Sequence, residues 1–466
     1  MLAADHQSLE RGMGATRHIF MVGIGGAGMS GIAEVLIGLG YIVSGSDESE
    51  SKTLDRLRAL GVQVHLGHKS EYVSDVDVLV VSAAVPPTNP ECLAARAQRV
   101  PVVPRAEMLA ELMRYRFGIA VAGTHGKTTT TSLIAAILGE AGEDPTFVIG
   151  GLLNQAGANA ALGEGQYLVV EADESDASFL HLQPMISLVT NIEADHMEHY
   201  EGDVTRYVQA FNGFLQNLPF YGSAVMCIDD RGVRDLLPEL TRKVVTYGHH
   251  SDADYRLENY RAEGLKSHFD LVCQRTDKTL PLTVRMPGFH NAQNAAGAAA
   301  LCLELGVNES AIKEGLAEFA GVGRRFSDLG DVRWAGGCAR LIDDYGHHPT
   351  EVAVTLKATR EAFPDRRVVM VYQPHRFSRT RDHFDDFVAV LGESETLLLL
   401  EVYAAGEAAI AGASAEALAQ AIRVRRGVEP VVVSDQRELA AILIDVLKDR
   451  DILLMQGAGD IGRLSA

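Results

Sequence analysis

Cysteine is scarce and scattered in this chain. The five present, Cys92, Cys227, Cys273, Cys302 and Cys338, are odd in number, far apart and never spaced C-x-x-C. That excludes a disulfide framework and a thiolate zinc site, and a reducing compartment is expected. Positive charge is also in short supply: 42 Lys and Arg stand against 62 Asp and Glu, a formal charge of -20. A chain this acidic has no diffuse positive field to offer nucleic acid or an anionic membrane, so neither is an expected partner. Any anionic ligand must be gripped by local groups. No run of about 18 apolar residues occurs, and the opening MLAADHQSLERGMGATR is polar where a secretory leader is apolar. A soluble, cytoplasmic protein is expected. Repeats and low-complexity tracts are missing, which removes solenoids and disordered scaffolds. So is a G-x-S-x-G elbow, which removes the Ser/His/Asp hydrolases built on it.

What the sequence has is length and alternation. Its 466 residues suggest about three domains of about 150 residues, and an apolar content of 47% lets all of them fold. After a polar tail, residues 1–16, short β-branched runs alternate with helical patterns and glycine stops, the form of parallel sheets with crossover helices. The alternation predicts a three-domain α/β protein: a Rossmann-like N-terminal domain over 17–116, a P-loop ATPase-like central domain over 117–322 and a Rossmann-like C-terminal domain over 323–466. In the central block FDLVCQR and LPLTVRM suggest an added antiparallel piece.

Four groups of residues carry chemistry. Gly23, Gly25, Gly26, Ala27 and Gly28 form a G-x-G-x-x-G turn between a strand and a helix, with Asp47 ending the next strand. Backbone N–H groups and the helix dipole suit a pyrophosphate there, and NAD or a UDP-sugar would satisfy the pattern equally. Gly123, Thr124, His125, Gly126, Lys127, Thr128 and Thr129 follow a strand and open a helix, as a phosphate-cradling loop must. Lys127 can reach β- and γ-phosphates and the Thr128 hydroxyl can hold Mg²⁺, although Val121 replaces the first glycine of the general pattern. An NAD-dependent dehydrogenase would leave this second loop without a task.

Glu171, Asp195 and His196 lie at strand ends, where ligands of parallel sheets bind, and supply donors for a hard cation. Asp173, Glu174 and Asp176 read equally as a solvated acidic loop. In the third block the strand ends DDYGHHP and QPHRFSRTR, with Arg324 and Arg325, concentrate positive charge able to neutralise a transferring phosphoryl group. A second G-x-G-x-x-G at Gly457–Gly462 has no room after it for a helix, strand and acidic residue, and reads as a packing turn or a phosphate contact.

Taken in order, GIGGAGMSGIAE, GTHGKTTT, EADESD, TNIEADHM, GFHNAQNAAGA, GRRF, DDYGHHPTEV, QPHRFSRT and QGAGDIG resemble the signatures of the Mur ligases, from His18 to Gly462. The resemblance implies an ATP- and Mg²⁺-dependent enzyme that adds an amino acid to a UDP-sugar carboxylate through an acyl phosphate. The member it is most similar to joins L-alanine to UDP-N-acetylmuramate; a related recycling ligase attaches a preformed peptide instead. By this resemblance Lys127, His196, Arg325, His347 and Arg376 are catalytic. Thr128, Glu171 and His196 hold Mg²⁺, and His290, Asn294, Arg324 and Asp344 join the phosphate loop around ATP. Gly23 to Gly28 and Asp47 take the UDP-sugar, while Tyr345, His347, His375, Arg376 and Arg379 receive the amino acid. Sister ligases carry a carbamylated lysine, but the stretch Met197–Arg242 contains no lysine. A weak homodimer is compatible with the sequence.

Overall fold

The structure is a computed structural model that describes residues 12–82, 84–154, 158–425 and 427–465. Most of the polar tail therefore lies outside the described residues. Three sheets account for the strands. The first contains β1 (His18–Val22), β2 (Ile42–Asp47), β3 (Gln63–Leu66), β4 (Val78–Val81) and β5 (Val102–Pro104) in the order β3-β2-β1-β4-β5, with neighbouring strands parallel. The order reverses at β1, so the loop that leaves β1 opens at a switch point of a doubly wound sheet.

The second sheet has ten strands: β6 (Phe117–Ala122), β7 (Thr146–Leu153), β8 (Ala158–Ala161), β9 (Tyr167–Glu171), β10 (Ile186–Val189), β11 (Ser223–Cys227), β12 (Lys243–Gly248), β13 (Tyr255–Glu263), β14 (Lys266–Cys273) and β15 (Lys278–Val284). β6 lies between β10 and β9 and is parallel to both, so all three release their chains at one edge. The expected addition appears as β13, β14 and β15, consecutive neighbours at one end of the sheet.

The third sheet contains β16 (Ser327–Trp334), β17 (Gly337–Asp344), β18 (Val368–Tyr372), β19 (Thr396–Leu400), β20 (Val431–Val433) and β21 (Ile452–Gln456) in the order β16-β17-β21-β18-β19-β20. β16 pairs antiparallel with β17 across a register shift at Asp328/Gly330, while the other neighbouring strands of this sheet are parallel. Asp344, Gln456 and Tyr372 are aligned partners at the ends of three parallel strands.

By compactness the chain forms two units. One runs to Glu258 and takes in Asp270–Pro281 and Gln293–Phe319; the other comprises Asn259–Phe269, Leu282–Ala292 and the chain from Ala320 onward. The first sheet and the strands β6 to β12 thus share a unit, while the segments 259–269 and 282–292, which carry parts of β13, β14 and β15, group with the C-terminal unit although the chain places them inside 117–322. No described helix is long and apolar enough to cross a membrane.

Local signals set the helix ends. Ser51, Asn89, Asp203 and Asn308 accept from backbone N–H groups of the first helical turn, and His348 with Glu351 forms a reciprocal capping box around Pro349. Within the first unit the core includes a ring cluster in which Phe179 stacks on Phe214 at 5.0 Å and meets Phe211 edge-on at 5.2 Å. All three are fully buried. Phe214→Ala should therefore cost about 3 kcal/mol or more in denaturant unfolding; a loss below about 1 kcal/mol would mean that the rings are not close-packed.

Candidate functional site

The first glycine loop is closed by the acidic residue that sequence spacing selects. After β1 the chain turns at Gly23, whose φ of +76° favours glycine. The Gly23 and Ile24 N–H groups donate to Ser46 O, and Gly25 N–H donates to Asp47 Oδ2 at 2.8 Å. Gly26 then caps, and Ala27 begins, the helix Ala27–Gly38 without any side-chain cap. These glycines and Asp47 line a cleft of about 620 Å³. Beside it Glu91, fully buried, accepts from Ser46 Oγ at 2.8 Å and from His68 Nδ1 at 2.9 Å. Sequence reasoning missed this trio, because its members lie on β2, the loop after β3 and the helix Pro90–Ala97, with no motif to link them.

The second loop runs from β6 into the helix Lys127–Glu140, with Gly123 at φ +129° and Gly126 at φ +85°. Its ammonium is turned inward. Lys127 Nζ donates to Gly123 O (2.6 Å), Thr124 O (3.1 Å) and Glu174 Oε1 (2.9 Å), with Glu174 Oε2 at 2.7 Å. Glu174 is 1% exposed, which corrects the reading of it as part of a solvated acidic loop. The missed signal is its position on β9's exit loop, opposite the phosphate loop. Burial lifts its carboxyl to about 7 against the pull of Lys127. Burial also opposes the charge on Lys127, but Glu174, Asp173 and Glu171 together outweigh it and raise the ammonium pKa.

Other predicted residues meet here. Thr128 Oγ1 donates to Glu171 Oε1 at 2.9 Å, and Gly150 N–H donates to Glu171 Oε2. His125 N–H donates to Asn191 Oδ1 while Thr190 and Asn191 donate to His125 O. The Thr124 hydroxyl meets Tyr207 OH at 2.8 Å and Glu193 O at 2.9 Å. Thr129 is buried in the first helical turn. Asn294 lies against Gly126, where a Cβ would stand 2.7 Å from its Oδ1. His196, at φ +52° on the exit from β10, has its Nε2 3.5 Å from Asp195 Oδ2. The Thr128 hydroxyl and the Glu171 carboxylate are oxygen donors side by side, which fits a hard cation such as Mg²⁺.

The second unit holds the other predicted residues. Tyr345 has two guanidiniums over its ring, those of Arg324 and Arg325 at 5.3 and 5.1 Å from the ring centre, and meets His347 edge-on at 5.3 Å. Arg324 adopts φ +59° and donates to Asp343 and Gly457 O. Asp344 accepts from Phe326 N–H, Gly346 N–H, Thr355 and Gln456, so both its oxygens hold the strand ends together, a framework role that the expected nucleotide contact did not foresee. His375 stacks on Tyr403 at 5.5 Å and lies 3.4 Å from Arg379 Nη1. Arg376, at φ +68°, opens the helix Phe377–Asp382 and donates its N–H to Tyr403 O. His290 is also in this unit, its pKa pushed down to about 4, chiefly by burial.

The last G-x-G-x-x-G is a packing turn: Gly457 N–H donates to Asp344 O, and the Gln373 side chain bridges Asp460 and Ile461 N–H. Its last two residues open a single helical turn, Ile461–Leu464.

Burial pushes His347 down to about 3; Glu351 opposes this, while Arg379, His375 and Arg325 add to it. A base whose folded pKa is depressed stabilises the fold above its unfolded pKa, about 6.5, and loses that contribution as pH falls toward 3. Thermal midpoints should therefore drop from pH 6.5 to pH 5, with His347 alone contributing about 2 kcal/mol. His347→Asn should flatten that drop; an unchanged pH slope would refute the buried neutral imidazole.

Comparison with known proteins gives matches along the chain. The profile described as Mur ligase family, catalytic domain, matches residues 18–117, the Mur ligase middle domain matches 121–302, and the Mur ligase glutamate ligase domain matches 324–459. Among solved structures, UDP-N-acetylmuramate-alanine ligase MurC from Thermotoga maritima is 30% identical with a TM-score of 0.81, covering 96% of this chain and 97% of that one. A murein peptide ligase from Psychrobacter arcticus is 25% identical with a TM-score of 0.70 over 96% and 97% of the two chains. A UDP-N-acetylmuramate:L-alanyl-γ-D-glutamyl-meso-diaminopimelate ligase from Neisseria is 27% identical, TM-score 0.61, covering 66% of this chain and all of that one.

Proposed function

The chain belongs to the Mur ligase family, and we propose that within it the protein joins L-alanine to the carboxylate of UDP-N-acetylmuramate in the cytoplasm, with ATP and Mg²⁺, through an acyl phosphate. As a family member it is an ATP-dependent ligase of peptidoglycan precursors.

In the proposed reaction a carboxylate oxygen attacks the γ-phosphorus and the bond to the bridging oxygen breaks, releasing ADP. The alanine nitrogen then attacks the acyl carbon, loses a proton, and phosphate departs. Such steps need positioning and charge neutralisation more than a strong base. Gly123 to Thr129 would cradle the polyphosphate, with Lys127 leaving its loop carbonyls for the γ-phosphate. Asn294 beside Gly126 and His290 would meet the base, and Arg324 would add charge. Thr128 and Glu171, with His196, would hold Mg²⁺, which when bound supplies charge neutralisation. The first loop and Asp47 would take the UDP-sugar. Arg325, Arg376 and His347 are assigned to the acyl phosphate, and His375 and Arg379 to the amino acid, whose carboxylate an Arg can fork.

The observation that carries the alanine reading is Tyr345, whose ring is in contact with Arg324, Arg325 and His347. A ring restrained by these three neighbours would favour a methyl side chain over a peptide beside it. The peptide-ligase reading has its own support in two of the similar structures.

Phosphate release with UDP-N-acetylmuramate should depend on L-alanine, with a matching mass gain on the sugar nucleotide; dependence on the preformed tripeptide would transfer the protein to the peptide ligases. Lys127→Ala should abolish ATP turnover without unfolding the protein, and retained turnover would contradict its assignment. Arg379→Ala should raise the KM for alanine about tenfold or more; an unchanged KM would remove it from the amino-acid site.

A further inference from the structure

The cleft of the first glycine loop has a charge problem. Its lining includes Asp47, Glu48 and His68 but no Lys or Arg. Backbone N–H groups can hold a pyrophosphate there. An acceptor that also carries a free carboxylate meets two carboxylates and no fixed cation in the lining itself.

A cation that the fold brings against the glycine loop itself is Arg105. It opens the helix Arg105–Met113 directly after β5 and reaches two loops. Its guanidinium lies so close to Gly28, the last glycine of the first loop, that a Cβ there would stand 2.7 Å from Nη1. Gly28 is thus small because Arg105 occupies the space. On its other side Arg105 Nη2 stands 3.5 Å from Asp173 Oδ2, in the loop leaving β9. Asp173 is also one of the three carboxylates whose field acts on Lys127. One guanidinium therefore touches both the first glycine loop and the acidic loop whose Glu174 partners Lys127.

That guanidinium keeps donor capacity. An Arg carries five N–H donors in a planar fork that matches a carboxylate. The 3.5 Å approach to Asp173 is longer than a good charge-assisted hydrogen bond, and the side chains are 22% and 40% exposed, so a ligand can exchange for the pair.

We propose that Arg105 holds the carboxylate of the acceptor sugar nucleotide and selects a muramate-type ligand over the same nucleotide sugar without its lactyl group. The assignment rests on the ligase reading above. Arg105 is a binding residue here: it fixes the carboxylate on the side of the cleft from which Asp173 leads to Lys127, and it takes no part in bond making.

Two probes isolate this contact. UDP-N-acetylmuramate and UDP-N-acetylglucosamine differ only in the lactyl ether that bears the carboxylate. Titration calorimetry on the full chain should show wild type preferring the muramate. In Arg105→Met that preference should shrink about tenfold or more through weaker muramate binding alone, and Arg105→Lys should restore part of it. Gly28→Ala, which pushes the guanidinium aside, should reduce the same ratio. Equal weakening of both nucleotides in Arg105→Met would mark Arg105 as structural support and overturn the proposal, as would an unchanged ratio. Failure of wild type to bind either nucleotide would overturn the ligase reading itself, and this assignment with it.

Discussion

Much of the first unit's chemistry depends on one buried ion pair. Lys127 Nζ is held by Glu174 and by the carbonyls of Gly123 and Thr124. An ammonium taken from water is costly unless opposite charge and acceptors surround it. The pair therefore dictates its surroundings. Left-handed Gly123 and Gly126 turn the loop around the ammonium, and Tyr200 OH donates to Glu174 O, pinning the acidic loop that supplies the partner. An anion reaching the loop would replace acceptors that the lysine already uses.

The two units solve one problem by the same device. An acidic protein cannot attract anions by its overall field, so it concentrates local donors and cations where parallel strands end. In the first unit β6, β9 and β10 deliver the phosphate loop, Glu171 and His196 to one edge. In the second, Asp344, Tyr372 and Gln456 stand in register, and the His- and Arg-rich turns leave from there. Asp344 is the clamp of that edge, because its four hydrogen bonds tie the 324–326 turn, the turn at Gly346, the helix Pro349–Ala362 and β21.

Strands with a continuous apolar run, such as Val368–Tyr372 and Thr396–Leu400, were legible at the residue level. β16 was not, since SDLGDVRW is a largely exposed edge strand with a register shift and so has neither apolar continuity nor clean alternation. β7 was hidden by Gly150 and Gly151 at its centre. The same contrast holds for the site. Lys127 and Thr128 stood out because they follow a glycine turn at fixed spacing, and Glu171 because it ends an apolar strand; the structure brings Thr128 and Glu171 into contact. Glu174 was not, because its value lies in a partner 47 residues away.

The sequence by itself determined the three-block α/β plan, both glycine loops and the residue types gathered at the strand ends, because backbone conformation and strand periodicity are local properties written in consecutive residues. Only the tertiary structure decided which carboxylate is a buried counter-ion, which is a clamp and which pairs loosely with an arginine. Glu174, Asp344 and Asp173 are all acidic residues in loops or at strand ends, and what separates them is burial and the donors brought to them by other strands. Those are long-range properties, fixed when the sheets assemble.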